Sequence, residues 1–175
     1  MADTSNGAIF GLAEIKFKTK TLGYVSEDGI QPAGEAPSFQ AVYAAQKTDG
    51  PFVTIMSNPG TEAFTANLIQ LKAENLVDVI GGTAGSDGSW TPPANPVAEG
   101  GPLDFKTQSG HTLRYYNVRI SRNGLQNGLN MQNVLGYGIR IDVLAPASGD
   151  VYKIFPPGVD PDAKPSGGSG SETGS

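Results

Sequence analysis

A single histidine, His111, carries all the imidazole of this 175-residue chain, and there is no cysteine. A Ser-His-Asp relay or an imidazole-bound metal would rest on His111 alone. A disulfide, a thiolate metal site and a cysteine nucleophile are ruled out. His111 follows the turn tripeptide Gln108-Ser109-Gly110 and reads as a surface turn residue. The carboxylates also sit in turn contexts. Glu27-Asp28 could pair for acid–base work, but Ser-Glu-Asp-Gly spells a bend. Asp87, and Asp160 with Asp162, are fragments of a calcium loop without its alternating oxygen ligands and bidentate glutamate. The chain has no Gly-x-Ser-x-Gly elbow, no phosphate-cradling Gly-Lys-Ser/Thr loop and no His-Glu-x-x-His pair. The expectation is a protein that is not an enzyme and uses no metal or cofactor.

Binding chemistry is thin as well. Trp90 with Tyr115 and Tyr116 could stack a sugar, so a carbohydrate-binding β-sandwich module stands as a reading from a different class. Anchoring a loop or packing an interface is the commoner use of one tryptophan. Lys16, Lys18 and Lys20 are the only basic cluster, and without interleaved aromatics they make a poor nucleic-acid stripe. They read as a solvated strand face that discourages stray edge pairing. The net charge of -5 and pI of about 4.7 disfavour gripping a polyanion, since phosphate contacts need lysine and arginine. An acidic wall would instead repel DNA and let it slide.

Around these residues the pattern is that of an all-β protein. Glycine and proline make up about a fifth of the chain, above the usual ~12%, and they separate alternating apolar runs. Strands are expected at Ala8 to Lys18, at Leu22 to Ser26 (closed by Asp28-Gly29), and at Ser38 to Gln46 and Phe52 to Ser57 around the turn Lys47 to Pro51. Others are expected at Leu103 to Phe105, at His111 to Ser121 with a bulge near Tyr115, at Leu135 to Val143 and at Val151 to Phe155. Two Asn-Gly pairs between Arg122 and Gly128 suggest a double bend, and Thr83 to Gly101 a long surface loop. Glycines 136 and 138 on one strand face suggest a close backbone approach. In Glu62 to Gly82 a strand (Phe64, Ala66, Leu68) gives way to a helix over Lys72 to Ile80. Its apolar face is Ala73, Leu76, Val77 and Ile80, and Gly81-Gly82 stops it. So short a helix must lie on a sheet.

This strand, Glu-Asn-Leu helix and Gly-Gly stop resembles the major tail tube proteins of long-tailed bacteriophages, most strongly over Leu22 to Gly82 and as far as Leu144. The resemblance implies a β-sandwich subunit, or partly rolled antiparallel sheets, with one flanking helix and an extended hairpin arm. Six copies per ring, and rings stacked into a tube that conducts DNA during ejection, follow from it. So do a place in the virion tail after assembly in the host cytoplasm, and partners beyond further copies of itself: a tape measure protein, a tail terminator and an initiator. DNA would pass the lumen without specific binding. The inner tube of a contractile injection system and a virion decoration protein share these features. The domain is expected to span 1–155. Residues 156–175 are expected to be a disordered Pro/Gly/Ser-rich tail whose ending, GGSGSETGS, has the composition of an appended linker. Neither a membrane span nor a signal peptide is expected, because no run approaches 18 apolar residues and MADTSNGA has no basic or hydrophobic region.

With chemistry set aside, function falls to surfaces. In FQAVYAA, Phe39, Ala41, Tyr43 and Ala45 lie on one parity and Val42 and Ala44 on the other, so both faces of this hairpin strand are apolar. Either the strand is covered twice within its own domain or it packs on a neighbour. The candidate interface is Phe39, Ala41, Val42, Tyr43, Ala44, Ala45 and Phe52, with Trp90 from the long loop.

Overall fold

The computed structural model describes residues 7–95 and 98–163. Its strands are β1 (Leu12–Phe17), β2 (Lys20–Thr21), β3 (Val25–Pro32), β4 (Ser38–Val42), β5 (Val53–Asn58) and β6 (Ala63–Leu68). After the helix α1 (Ala73–Ile80) come β7 (Thr83–Ala84), β8 (Trp90–Thr91), β9 (Glu99–Thr107), β10 (Thr112–Gln126), β11 (Gly136–Val143) and β12 (Tyr152–Phe155). With 48% strand and 5% helix the protein is mainly β, and α1 is too short to cross a membrane.

Eight strands form one antiparallel sheet in the order β2-β1-β9-β10-β11-β6-β3, with β12 also on β10. The long β10 organises it. One edge pairs with β9 from Thr112 to Ile120, while the other takes β12 along Thr112–Tyr115 and then β11 along Val118–Gln126. The β9 register slips between Tyr115 and Val118, at the change of parity expected there. The extra residue adds twist and lets Tyr115, Val118 and Ile120 all face inward, leaving Tyr116 outside. The sheet rolls so that inward residues of β1, β6, β9, β10 and β11 share one core with Leu76, Val79 and Ile80 of α1. A sandwich-like interior thus forms from a single sheet and one helix.

Several details differ from the sequence pattern. The helical face is turned so that Val79 is fully buried and Val77 sits at its flank. Lys72 is the N-cap residue and makes no side-chain cap bond; Gly81, at φ 83°, terminates the helix. Ala13 is exposed because the register slips between Leu12 and Glu14, which turns Leu12 onto the core. Asp28-Gly29 does not close a strand: β3 runs through it, with pairing to β6 skipping from Val25 to Ile30. Asn123-Gly124 is no turn either, since β10 continues past it through a bulge with Gly124 at φ 77°. The segment expected as a loop holds the small β7–β8 hairpin and the start of β9. Gly138 is crowded by the side chains of Gln126 and Asn123, whereas at Gly136 the Leu68 carbonyl lies 3.4 Å from where a Cβ would sit, so backbone approaches one of the two glycines.

The tail is held where it is described. Pro156 to Ala163 turn twice, through Val159 N–H to Pro156 O and Ala163 N–H to Asp160 O, and Arg114 donates to Pro161 O and Asp162. The expected free tail therefore does not begin at 156; residues 164–175 lie outside the described residues.

The β1–β2 connection is a two-residue loop, Lys18-Thr19, with both residues at positive φ (49° and 72°). Hairpins prefer Asn-Gly in such a loop, and a β-branched residue there is strained by about 1–2 kcal/mol. Replacing Thr19→Gly should raise unfolding stability by about 0.5–1 kcal/mol after the entropy cost of glycine, measured by urea titration. A loss would show that the Thr19 side chain contributes more than its backbone costs.

Candidate assembly surface

The hairpin β4–β5 leaves the main sheet where Glu35 and Thr61 bridge in both directions at 2.8 and 2.9 Å. Gly60, at φ 79°, is required at that root, since a Cβ there would sit 2.7 Å from Glu35 O and 2.8 Å from the Pro37 nitrogen. The Ser38 and Ser57 hydroxyls bond across the base at 2.9 Å. Pairing proceeds from Phe39↔Met56 to Val42↔Val53, and Phe52 N–H closes on Val42 O at 2.8 Å, so the second strand pairs from Phe52 onward as Pro51 demands.

Because directly paired residues share a face, the register sorts the side chains. Phe39, Ala41, Thr54 and Met56 occupy one face, extended by Tyr43 and Phe52 toward the tip. Gln40, Val42, Val53 and Ile55 occupy the other. Both faces are bare: Tyr43 is 71% exposed, Phe52 67%, Phe39 59%, and Ile55 and Met56 55% each. Ala44, half-buried, and Ala45, exposed, lie in the turn beyond β4. The arm packs substantially only on itself. A two-stranded hairpin is marginal alone in water, and each large apolar side chain gains about 1.5–3 kcal/mol on full burial. Val53, Ile55 and Met56 belong to this surface although the first strand alone suggested it. Their signal was present in Phe52-Val53-Thr54-Ile55-Met56, which is apolar on both parities.

Trp90 is placed elsewhere. Its ring meets Tyr137 edge-on at 5.7 Å and its Nε1–H donates to Gly81 O at 3.0 Å, so it pins the β7–β8 hairpin to the end of α1. It shares no platform with Tyr115, which is buried and packed against Phe64, Phe105 and Tyr152. Burial, and then a hydrogen bond to Glu62, push the Tyr115 phenol pKa up.

His111 is buried rather than at the surface, with Nδ1 3.0 Å from the buried Ser109 hydroxyl. Thr107 Oγ1 contacts the same hydroxyl at 2.9 Å and donates to His111 O. This knot ties the β9–β10 turn. Glu27 and Asp28 are exposed neighbours on β3. Asp87 accepts from Ser89 N–H and Oγ–H in its turn, which holds its pKa below the usual aspartate value. Among the described residues no three acidic or histidine side chains gather as a metal site.

The lysines are individually committed. Lys16 lies 3.7 Å from Glu14, Lys18 Nζ sits over the Phe17 ring, and Lys20 bonds Asp78 of α1 at 2.7 Å. Lys16 belongs to an outer face where opposite charges pair across strands, whereas Lys20, paired with Phe17, lies on the helix side. Glu14 meets Lys106, and Asp104 takes both Nε and Nη2 of Arg114 at 2.7 and 2.6 Å. A hydrogen bond from Thr21, ahead of the two lysines, keeps the Glu14 pKa low.

On the inner side, β1 and β3 border an open cleft of about 670 Å³ floored by Phe64, Phe105 and Tyr115. No protein-family model matches the sequence, and a search of curated proteins finds no match.

The Arg114 guanidinium holds the Asp162 carboxyl below the usual aspartate range. A depressed folded pKa means the clasp is intact above the unfolded value and is lost as pH falls through the folded one. Acid titration followed by NMR should show the Asp162 carboxyl and the Arg114 side-chain N–H shifting together with a midpoint below that of a free aspartate, and Asp162→Asn should abolish the transition. A midpoint at the free-aspartate value would remove the clasp.

Proposed function

We propose that this protein is a structural subunit that assembles with copies of itself, its copies closing into rings that stack as the tail tube of a long-tailed bacteriophage. The observation that carries this reading is the β4–β5 arm: a hairpin apolar on both faces and exposed on both. An arm so built loses stability in water and gains it on a second surface. The apolar sequence of the arm, the rolled sheet with its single helix and the resemblance over Leu22 to Gly82 agree with one another.

The mechanism is geometric. The strand order ends at β2 and β3, and β12 pairs only with β10 among the described strands; such edges offer backbone groups to a neighbour, and a closed ring of subunits leaves no edge open. Contacts made by different patches on the two partners close into rings or run on as open stacks. Six copies per ring, a tape measure protein that sets the length, a terminator and an initiator at the ends, and a place in the virion tail all follow from the family likeness. The net charge of -5 suits a lumen along which DNA slides without being held. The inner tube of a contractile injection system and a virion decoration protein remain the neighbouring readings.

Electron microscopy of the concentrated protein should show rings or tubes with a central bore. Deleting Gln40 to Pro51 should leave a cooperative thermal transition and abolish those assemblies. Tubes that grow unchanged from the deletion variant would rule out the arm; a particle that stays monomeric at every concentration would rule out the assembly.

A further inference from the structure

We infer that the apolar cleft between β1 and β3 is the socket for the β4–β5 arm of a second copy of the chain. The inference rests on the self-assembly reading above and supplies the surface that receives the arm. It starts from two unsatisfied features of one molecule. The arm offers a face of Phe39, Tyr43, Phe52 and Met56 with nothing against it. The cleft offers a floor of Phe64, Phe105 and Tyr115 in edge-to-face contact at 5.5–5.7 Å, walled by Leu12, Val25 and Ile30. A volume of about 670 Å³ lies in the range that encloses a small ligand or a few large side chains.

Electrostatics favours this pairing. The arm strands, Ser38–Val42 and Val53–Asn58, contain no charged residue. Among the described residues, the charged ones lining the cleft are Glu14, already paired with Lys16 and Lys106, and Glu27, which is exposed. The arm strands thus bring no charge of their own into the cleft.

Ser26, one of the residues that line the cleft, carries a polar atom unpartnered among the described residues. Ser26 Oγ is buried and makes no hydrogen bond. It lies in the β3 stretch where pairing to β6 skips from Val25 to Ile30.

The arm does not fill the cleft of its own chain: its root is fixed at the Glu35–Thr61 bridge, and it packs substantially on no other element. Arm and socket are different patches, so the contact is heterologous and propagates from copy to copy.

The absence of cysteine makes the test direct. Full-length Phe52→Cys and Tyr24→Cys chains, one marked on the arm and one at the cleft, are mixed under mild oxidation, and disulfide-linked heterodimers and particle size are both measured. Val159→Cys, away from the cleft, replaces Tyr24→Cys as control. The expected result is assembly together with 52–24 cross-links and few 52–159 ones. Adding Met56→Ser and Phe39→Ser to the Phe52→Cys chain should raise the concentration needed for cross-linking about tenfold or more. Assemblies without 52–24 cross-links would overturn the socket and leave self-assembly standing. Cross-linked pairs that never grow into rings or tubes would keep the socket and overturn the tube. Monomers without cross-links would overturn both. A Phe52→Cys/Tyr24→Cys double variant that cross-links only within one chain would give the cleft to the chain's own arm. A co-purifying apolar small molecule in the cleft, found by mass spectrometry in the absence of cross-links, would give it to a ligand. Either of these last two results refutes the proposal.

Discussion

Everything in this fold depends on β10 pairing along both edges while changing which face it presents. One strand of fifteen residues carries β9 on one side and β12 followed by β11 on the other. A flat strand of that length would put half its side chains in water. The slips at Tyr115/Val118 and Arg122/Gly124 add twist where the partner strand changes. The resulting curl brings inward residues of five strands and α1 into one core, and it brings β1 and β3 close enough to share a cleft. The helix contributes by closing the concave side, not by propensity; two turns would not persist alone.

Polar interactions serve the same curved sheet from outside. On β1, β9 and β10, opposite charges meet across the ladder at several outward positions, as in Glu14 with Lys106 and Asp104 with Arg114. Exposed pairs of this kind contribute little individually. The bidentate Arg114–Asp104 pair is the exception in geometry, and it also extends to Pro161 and Asp162, so the same guanidinium fixes a strand register and the start of the tail. The other end of the molecule is tied by Trp90, whose indole links a two-residue strand to the helix terminus.

Against this body the β4–β5 hairpin stands out, as do the exposed Leu129 and Met131 between β10 and β11. Core, outer charge face and turn knots all have partners, whereas the arm has apolar side chains on both faces and almost no contacts outside itself. The cleft beside β3 is the converse, a hollow floored by aromatic rings. The proposed assembly treats these as two halves of one contact, so that a repeated subunit completes what a single one leaves open.

By itself the sequence determined the period of each segment, and with it the β class, the one helix, its Gly81 stop and the hairpin around Lys47 to Pro51. Those signals are local: alternation, a 3.6-residue stripe and turn residues act through neighbours a few positions away. It also contained both apolar parities of Phe39 to Ala45. Whether that strand would be covered from within was decided by tertiary structure, because cover comes from residues distant in the chain. The same holds for Val79 replacing Val77 at the helix face, for Asn123-Gly124 becoming a bulge within β10, for the burial of His111 and for Trp90 facing Tyr137. Each depends on which strand lies alongside and in what register, and a register is a relation between two segments that neither one encodes alone.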